Sequence, residues 1–486
     1  MTQAMNPYLP EYEYIPDGEP YVFGDRVYLF GSHDRAGGRV FCLNDYVCWS
    51  APVDDLGDWR YEGVIYRRSQ DPTNRLGLRL LFAPDVERGP DGRFYLYYGF
   101  DFMGMLGVAV ADAPAGPYEF LAHVCWPDGT PYGRRDGDGF PFDPAVLLDD
   151  DGRVWLYSGF YKPVPARSTG GRQLSFGGGY VLELEPDMHT IKGDERLVFP
   201  KEGPGSFAGH EFFEASSIRK YDGTYYFVYS SRVNHELCYA TSDRPDGGFA
   251  FGGVLVSIGD VGLPGAPDEA HANNYLGNTH GGLLRLGSGE DERLFIFYHR
   301  QTHRTSFSRQ ACAEELHRRE DGGLAQAEVT SCGLNGGPLV GRGTYPARIA
   351  CNLWAAGHET GRYDLRESRR QLHDHPYVTF DAPGAEPCGR QHVANVRDGS
   401  VVGFKYFDLR GLSRVDLTVR GRGTGEVLVA RDADFTDVVA TVPLDGDMSR
   451  GWHVVSAPAV APDGPTALYL RHDGPGAIDL LELTLA

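Results

Sequence analysis

Long apolar runs are missing from this chain. No segment approaches the ~20 apolar residues that a helical membrane span requires, and the opening MTQAMNPYLPEYEY has neither the basic nor the apolar stretch of a secretory leader. A cytoplasmic location is the expectation. Clusters of Lys and Arg are missing too: 46 basic against 67 acidic residues leave a net charge of −21. That surface repels nucleic-acid backbones and anionic membranes, so neither is an expected partner. The eight cysteines (Cys42, Cys48, Cys125, Cys238, Cys312, Cys332, Cys351 and Cys388) never fall into Cys-x-x-Cys spacing. Reduced thiols and no zinc site are expected. Helical periodicity is weak almost everywhere. What the chain has in plenty is Gly (64), Pro (32), Tyr (28) and Phe (26), a composition of short strands joined by turns. The expected class is all-β, and 486 residues exceed one core of ~250–300 residues, so more than one domain is expected.

Self-similarity appears in the turns. FGDRVYLFGSHD from residue 23, PDGRFYLYYGF from 90, DDGRVWLYSGF from 150, YDGTYYFVYSS from 221 and SGEDERLFIFYHR from 288 each put a turn before an aromatic strand. Asp-Gly or Gly-Asp between apolar runs marks a hairpin, because primed turns need positive φ. Units of 60–71 residues, each with room for four strands, match the blades of a β-propeller. Five units predict five blades over residues 1–325.

Six to nine residues before each turn lies one polar group: Asp17 in IPDGEPYV, Asp85 in LFAPDVER, Asp143 in PFDPAVLL, Glu214 in FFEASSIR and His280 in NTHGGLLR. Strands converging on a propeller axis would crowd four carboxylates into one funnel, where they repel one another. A core gains nothing from that, and costly polar clusters mark function. Crowding and apolar walls raise the pKa of one carboxyl, fitting it to donate a proton, while another stays ionised as a base; such a pair is the apparatus of glycoside hydrolysis.

These motifs, in this order, resemble glycoside hydrolase family 43, the five-bladed propeller enzymes of the arabinofuranosidase and xylosidase group. The resemblance spans about Asn6 to Glu320. It implies Asp17 as general base, Glu214 as general acid and Asp143 as the residue that raises and orients the acid. It also makes Asp85 and Arg309, in SRQACAEEL, pocket residues, with Phe82 where family members commonly carry Trp. His235, in HELCYATS, is a further substrate-contact candidate, and Phe82, Phe142, Phe160 and Phe213 are candidates for stacking on sugar. Asp17-Gly18-Glu19-Pro20 departs from the family's Asp-Pro, which brings Glu19 in as an alternative base. The reaction implied is inverting, exo-acting removal of a terminal pentose, α-L-arabinofuranosyl or β-D-xylosyl, from an oligosaccharide. A galactofuranosidase and a non-catalytic sugar-binding propeller are the alternatives. No cofactor is required; a structural calcium held by His280 through water is the expected optional ion.

Beyond residue 325 the pattern changes. Residues 326–374 are expected as a connector packed on the propeller. Short strand-like runs from 375 to 486 (VVGFKYFDL, RVDLTVR, GEVLVAR, TALYLRH) read as a β-sandwich of jelly-roll type. It resembles family 6 carbohydrate-binding modules, with Tyr406, Phe407 and Trp452 as aromatic candidates. Nothing in the sequence specifies an oligomeric state.

Overall fold

In the computed structural model, which describes residues 3–381, 389–444 and 447–486, the Asp-Gly and Gly-Asp signals close hairpins as their chemistry demands. Gly24 (φ 69°) and Asp25 join Glu19–Phe23 to Arg26–Phe30, and Asp222 (φ 51°) with Gly223 (φ 81°) join Phe212–Tyr221 to Thr224–Ser231. These are the two-residue turns whose twist matches that of paired strands. In the second and third repeats, Asp91 and Asp151 instead accept the backbone N–H two residues on, at 3.0 Å each, within five-residue loops.

The repeats build sheets of sequential antiparallel strands. Four contain four strands each: 19–66, 85–123, 145–200 and 212–257. The fifth, 283–316, contains three. It departs from the four-strand expectation because its chain leaves toward the second domain after the long strand Thr305–Leu316.

Five apolar clusters show that the sheets form a ring, each cluster joining two neighbouring blades. Phe30, Tyr46 and Tyr66 pack with Val86, Leu96 and Tyr98. Tyr95 and Tyr97 pack with Val146 and Leu156, and Trp155 and Tyr157 with Phe212 and Phe227. Val228 and Tyr239 pack with Leu283 and Ile296. The fifth cluster, Val27, Leu29 and Trp49 with Leu284, Phe295 and Phe297, joins last to first and closes the ring. At the closure the Gly282 N–H donates to Gly18 O at 3.2 Å. A Cβ on the adjacent Gly281 would stand 1.9 Å from the backbone oxygen of Phe297, so only glycine fits there.

The C-terminal region is a two-sheet sandwich around one core that includes Val402, Phe404, Leu417, Val429, Leu468 and Leu483. The expected connector is not a separate unit. Leu339–Gly341 and Asn352–Trp354 pair with Val401–Leu409 in one sheet, and Gly343–Pro346 pairs with Ala477–Leu485 in the other. These strands have three or four residues, too few to show a period of two in the sequence. The rest, including the short helix Leu365–Arg370, returns to the propeller mouth. The three aromatic candidates offer no open platform. Phe407 is core, and Tyr406 donates to Glu328 at 2.6 Å. Trp452 packs against His392 and lies beneath Arg420, whose guanidinium carbon is 4.4 Å from the ring centroid. All seven described cysteines are free thiols; Cys388 lies outside the described residues. No helix among the described residues is long and apolar enough to cross a membrane.

Candidate active site

One mouth of the ring opens into a cavity of about 350 Å³ lined by Asp17, Asp143, Glu214, His280 and Arg309, with Phe82, Phe142, Phe160 and Phe213 among its walls. The inner strands deliver the carboxylates through strained backbone. Asp17 (φ 59°), Asp143 (φ 46°) and Ala215 (φ 68°) all occupy the left-handed region, which non-glycine residues avoid. Strain of this kind collects at functional sites. Around Glu214 the pairing with Thr224–Ser231 slips twice, before and after the residue. Such a bulge re-aims one side chain. It turns Glu214 to the cavity, and the freed N–H of Ala215 donates to Asp143 Oδ2 at 3.0 Å, so Asp143 holds the strand that carries Glu214.

The site drives its carboxyls apart in pKa. Burial, the largest single influence, pulls Asp17 upward, but Arg309, His299, His280 and the Ser32 hydroxyl together outweigh it, and the net displacement is downward from the usual aspartate value. Arg309 Nη1 donates to Asp17 Oδ1 at 2.9 Å, while Nε and Nη2 grip Asp34 at 2.8 and 3.0 Å. Burial and then the Asp17 charge push Glu214 up to about 8. Asp143 is also driven upward, by burial and then by Glu214 and Asp17. Burial keeps His299 neutral, pushed down to about 3. The ring nitrogens agree: Nε2 lies 2.9 Å from Asn278 O, and Nδ1 accepts the Asp17 N–H at 3.3 Å.

Two expected contact residues lie elsewhere. Asp85 does not line the cavity. Its carboxylate accepts from Tyr21 Oη (2.6 Å), Val86 N (2.9 Å) and Val146 N (2.7 Å), which ties blade two to blade three. Glu19, the alternative base, is also drawn off the mouth, bound to Arg219 at 2.7 Å and Ser217 at 2.9 Å. His235 is turned inward, with Nδ1 3.0 Å from Ser257 Oγ, because the tight turn at Asn234 (φ 65°) presents Arg232 and Asn234 to the cavity instead. Several lining residues were not expected: Phe41, Phe102, Lys162, Ser306 and the segment Arg362, Tyr363, Asp364 and Leu365. Asp34, behind Arg309, was also missed, although it stands in the quoted GSHD of the first repeat.

His280 Nε2 faces Glu19 Oε1 at 3.9 Å, and that oxygen is buried without a hydrogen-bond partner. Burial pushes the imidazole down to about 4, leaving it neutral. Calcium takes roughly six to eight ligands, mainly oxygen. A water-shelled ion would fit these two donors: His280 and Glu19 would hold it, and water would supply most ligands.

The model of glycosyl hydrolases family 43 matches residues 13–324, nearly the whole propeller. The chain belongs to family 43. Over an alignment 490 positions long that covers 99% of either chain, it is 48% identical to a xylosidase/arabinosidase of Thermoclostridium stercorarium. It is 24% identical to an arabinoxylan arabinofuranohydrolase of Bacillus subtilis, over 80% of this chain and 71% of that one. Among solved structures, a family 43 β-xylosidase/α-arabinofuranosidase from a compost metagenome, in a calcium-free form with xylotriose, superposes with a TM-score of 0.50 at 25% identity, covering 67% of this chain and 98% of its own. A family 43 arabinofuranohydrolase structure from Bacillus subtilis covers 100% of this chain and 99% of its own, also at 0.50, with 20% identity, a likeness of fold. The family 43 chain is thus a glycoside hydrolase with a five-bladed propeller, and it needs no cofactor for that chemistry.

Proposed function

We propose that this family 43 enzyme releases one terminal pentose, β-D-xylosyl or α-L-arabinofuranosyl, from the end of an oligosaccharide with inversion. Asp17 takes a proton from water as the water oxygen bonds to the anomeric carbon. The glycosidic C–O bond breaks, and Glu214 gives its proton to the departing oxygen. Burial and the Asp17 charge keep Glu214 protonated, and Asp143 positions it through the Ala215 amide. Arg309 holds Asp17 ionised.

The observation that carries this reading is the opposite displacement of two carboxyls that line one cavity, Asp17 downward and Glu214 to about 8. The exo mode rests on the cavity's shape. At about 350 Å³ it is at the small end of ligand sites, ~300–1,000 Å³. Tyr363, Asp364 and Leu365 wall one part of it, and Phe102, Phe142 and Phe160 wall another. The pentose assignment draws on the relative named xylosidase/arabinosidase.

Aryl β-D-xylosides, α-L-arabinofuranosides and β-D-galactofuranosides, with the matching disaccharides, test the reading, and NMR of the first-formed anomer reports stereochemistry. Glu214→Ala should lose about 10²–10⁴-fold on disaccharides, where the leaving group needs the proton, and far less on nitrophenyl glycosides. Asp17→Asn should lose comparably on both. Retention of configuration would overturn the two roles, and a wild-type protein that binds these sugars without cleaving any would overturn catalysis.

A further inference from the structure

Away from the propeller mouth, three donors of different chemistry meet on blade four. Glu236 and Cys238 stand two apart on the strand Glu236–Ser242 and so project from one face. His210 comes from the loop that leads into the strand of Glu214. His210 Nδ1 is 2.7 Å from Glu236 Oε1, Cys238 Sγ is 3.4 Å from the same oxygen, and Sγ and Nδ1 are 3.8 Å apart. Among the described residues, no other trio of His, Cys and carboxylate ligand atoms gathers in this way.

We propose that His210, Glu236 and Cys238 form a binding site for a borderline-soft divalent cation, zinc above all. Zinc bonds of about 2.3 Å to sulfur and about 2.0–2.2 Å to nitrogen and oxygen give tetrahedral edges of ~3.3–3.6 Å. Both edges to sulfur are already within a few tenths of an ångström of that range. Only the His210–Glu236 edge, now a hydrogen bond, must open, by about half an ångström. His210 can make that adjustment: its side chain is 36% exposed, which also gives the ion a way in.

The surroundings orient the ligands as outer partners do in metal sites. The His210 ring stacks on Phe251 at 5.0 Å and its carbonyl accepts from Tyr229 Oη at 2.7 Å. Ser231 Oγ donates to Glu236 Oε1 at 2.6 Å. On binding, the thiol and Nδ1 give up their protons, the imidazole keeps a hydrogen on Nε2, and water takes the fourth position. Affinity therefore rises with pH. A thiolate ligand selects against calcium, which separates this site from the axial one at His280. Occupancy ties the loop before Phe212 to the third strand of its own blade, four residues upstream of Glu214 and beside the cavity residue Arg232.

The test is titration of chelator-treated full-length protein with Co²⁺ under a phosphine reductant. A thiolate-to-cobalt charge-transfer band should saturate at one equivalent and bleach on adding Zn²⁺. Cys238→Ser, nearly isosteric, should lose the band. His210→Ala, which alters a half-exposed side chain and leaves the buried thiol in place, should weaken Co²⁺ binding at least tenfold even if the serine variant folds poorly. Zn²⁺ should raise Tm by several degrees in the wild type only. Absence of the band, or a band and affinity unchanged in His210→Ala, would overturn the proposal.

Discussion

Arg309 is the buried cation through which the proposed base keeps its charge, and Asp34 is what fixes Arg309. Two donors to Asp34 and one to Asp17 orient the planar guanidinium, and Phe41 covers it at 4.7 Å. Asp34→Asn leaves a buried cation short of one anion, which costs about 3–5 kcal/mol when a buried pair is broken. It also loosens the base, so kcat should fall about 10²-fold, the scale set by a 1 Å misplacement; thermal unfolding and kinetics on an aryl glycoside check both. With Asp17 displaced downward and Glu214 at about 8, kcat/KM should follow a bell in pH. Its acid limb lies below the ordinary carboxylate range, where Asp17 gains a proton. Its basic limb lies near 8, where Glu214 loses one. Glu214→Gln, assayed on a nitrophenyl glycoside, should lack the basic limb.

At the scale of the element, the decisive feature is the double slip in pairing around Glu214, with Ala215 at φ 68°. A β-branched residue does not tolerate that conformation. Ala215→Val should therefore straighten the strand, withdraw the N–H from Asp143 and lower kcat about as far as Glu214→Ala, with KM little changed; kinetics of the two variants side by side decide it. The hairpins were legible because Asp-Gly turns and aromatic strands repeat, and the placement of Asp17, Asp143 and Glu214 followed from their constant offset to those turns. Asp85, six residues before Asp91 where the other three stand eight before their turn aspartates, was misplaced, since a strand's position on the axis is readable but its depth below the mouth is not. The bulge leaves no pattern in FFEASSIR, and the wall at residues 362–365 lies some forty residues past the family match. That contact is set by tertiary packing: Arg362 reaches Val233 O at 2.5 Å and Glu269 at 2.8 Å, partners far away in sequence.

For the whole molecule, buried carboxyls govern how stability changes with pH. Burial pushes Asp85 up to about 6, Glu87 to about 7, and Glu19, Glu214 and Glu314 to about 8. In the unfolded chain such groups release their protons near ~4. Between about pH 5 and 8 these carboxyls hold protons in the folded protein that the unfolded chain has lost, which lowers stability as pH rises. The buried neutral His280, His299 and His303 act in the opposite sense below about 6.5, so the net fall belongs above that value. The net charge of −21 acts in the same direction, because deprotonation adds to self-repulsion. At the acid end the sign reverses: His123 and Thr73 help hold Asp71 down to about 2 against burial, and its stabilisation disappears as pH falls toward that value. Stability should therefore peak at about pH 6.5, with Tm there several degrees above Tm at pH 8.5. Glu87 is not among the cavity-lining residues, and its carboxylate accepts only from backbone N–H groups, Arg88 at 2.7 Å and Leu148 at 3.1 Å. Glu87→Gln removes the charge and keeps an acceptor, so it should reduce the slope of Tm against pH between 6 and 8 while kcat stays unchanged. A Tm that holds level or climbs from pH 6.5 to 8.5 would mean that these carboxyls ionise in the folded protein as they do in water.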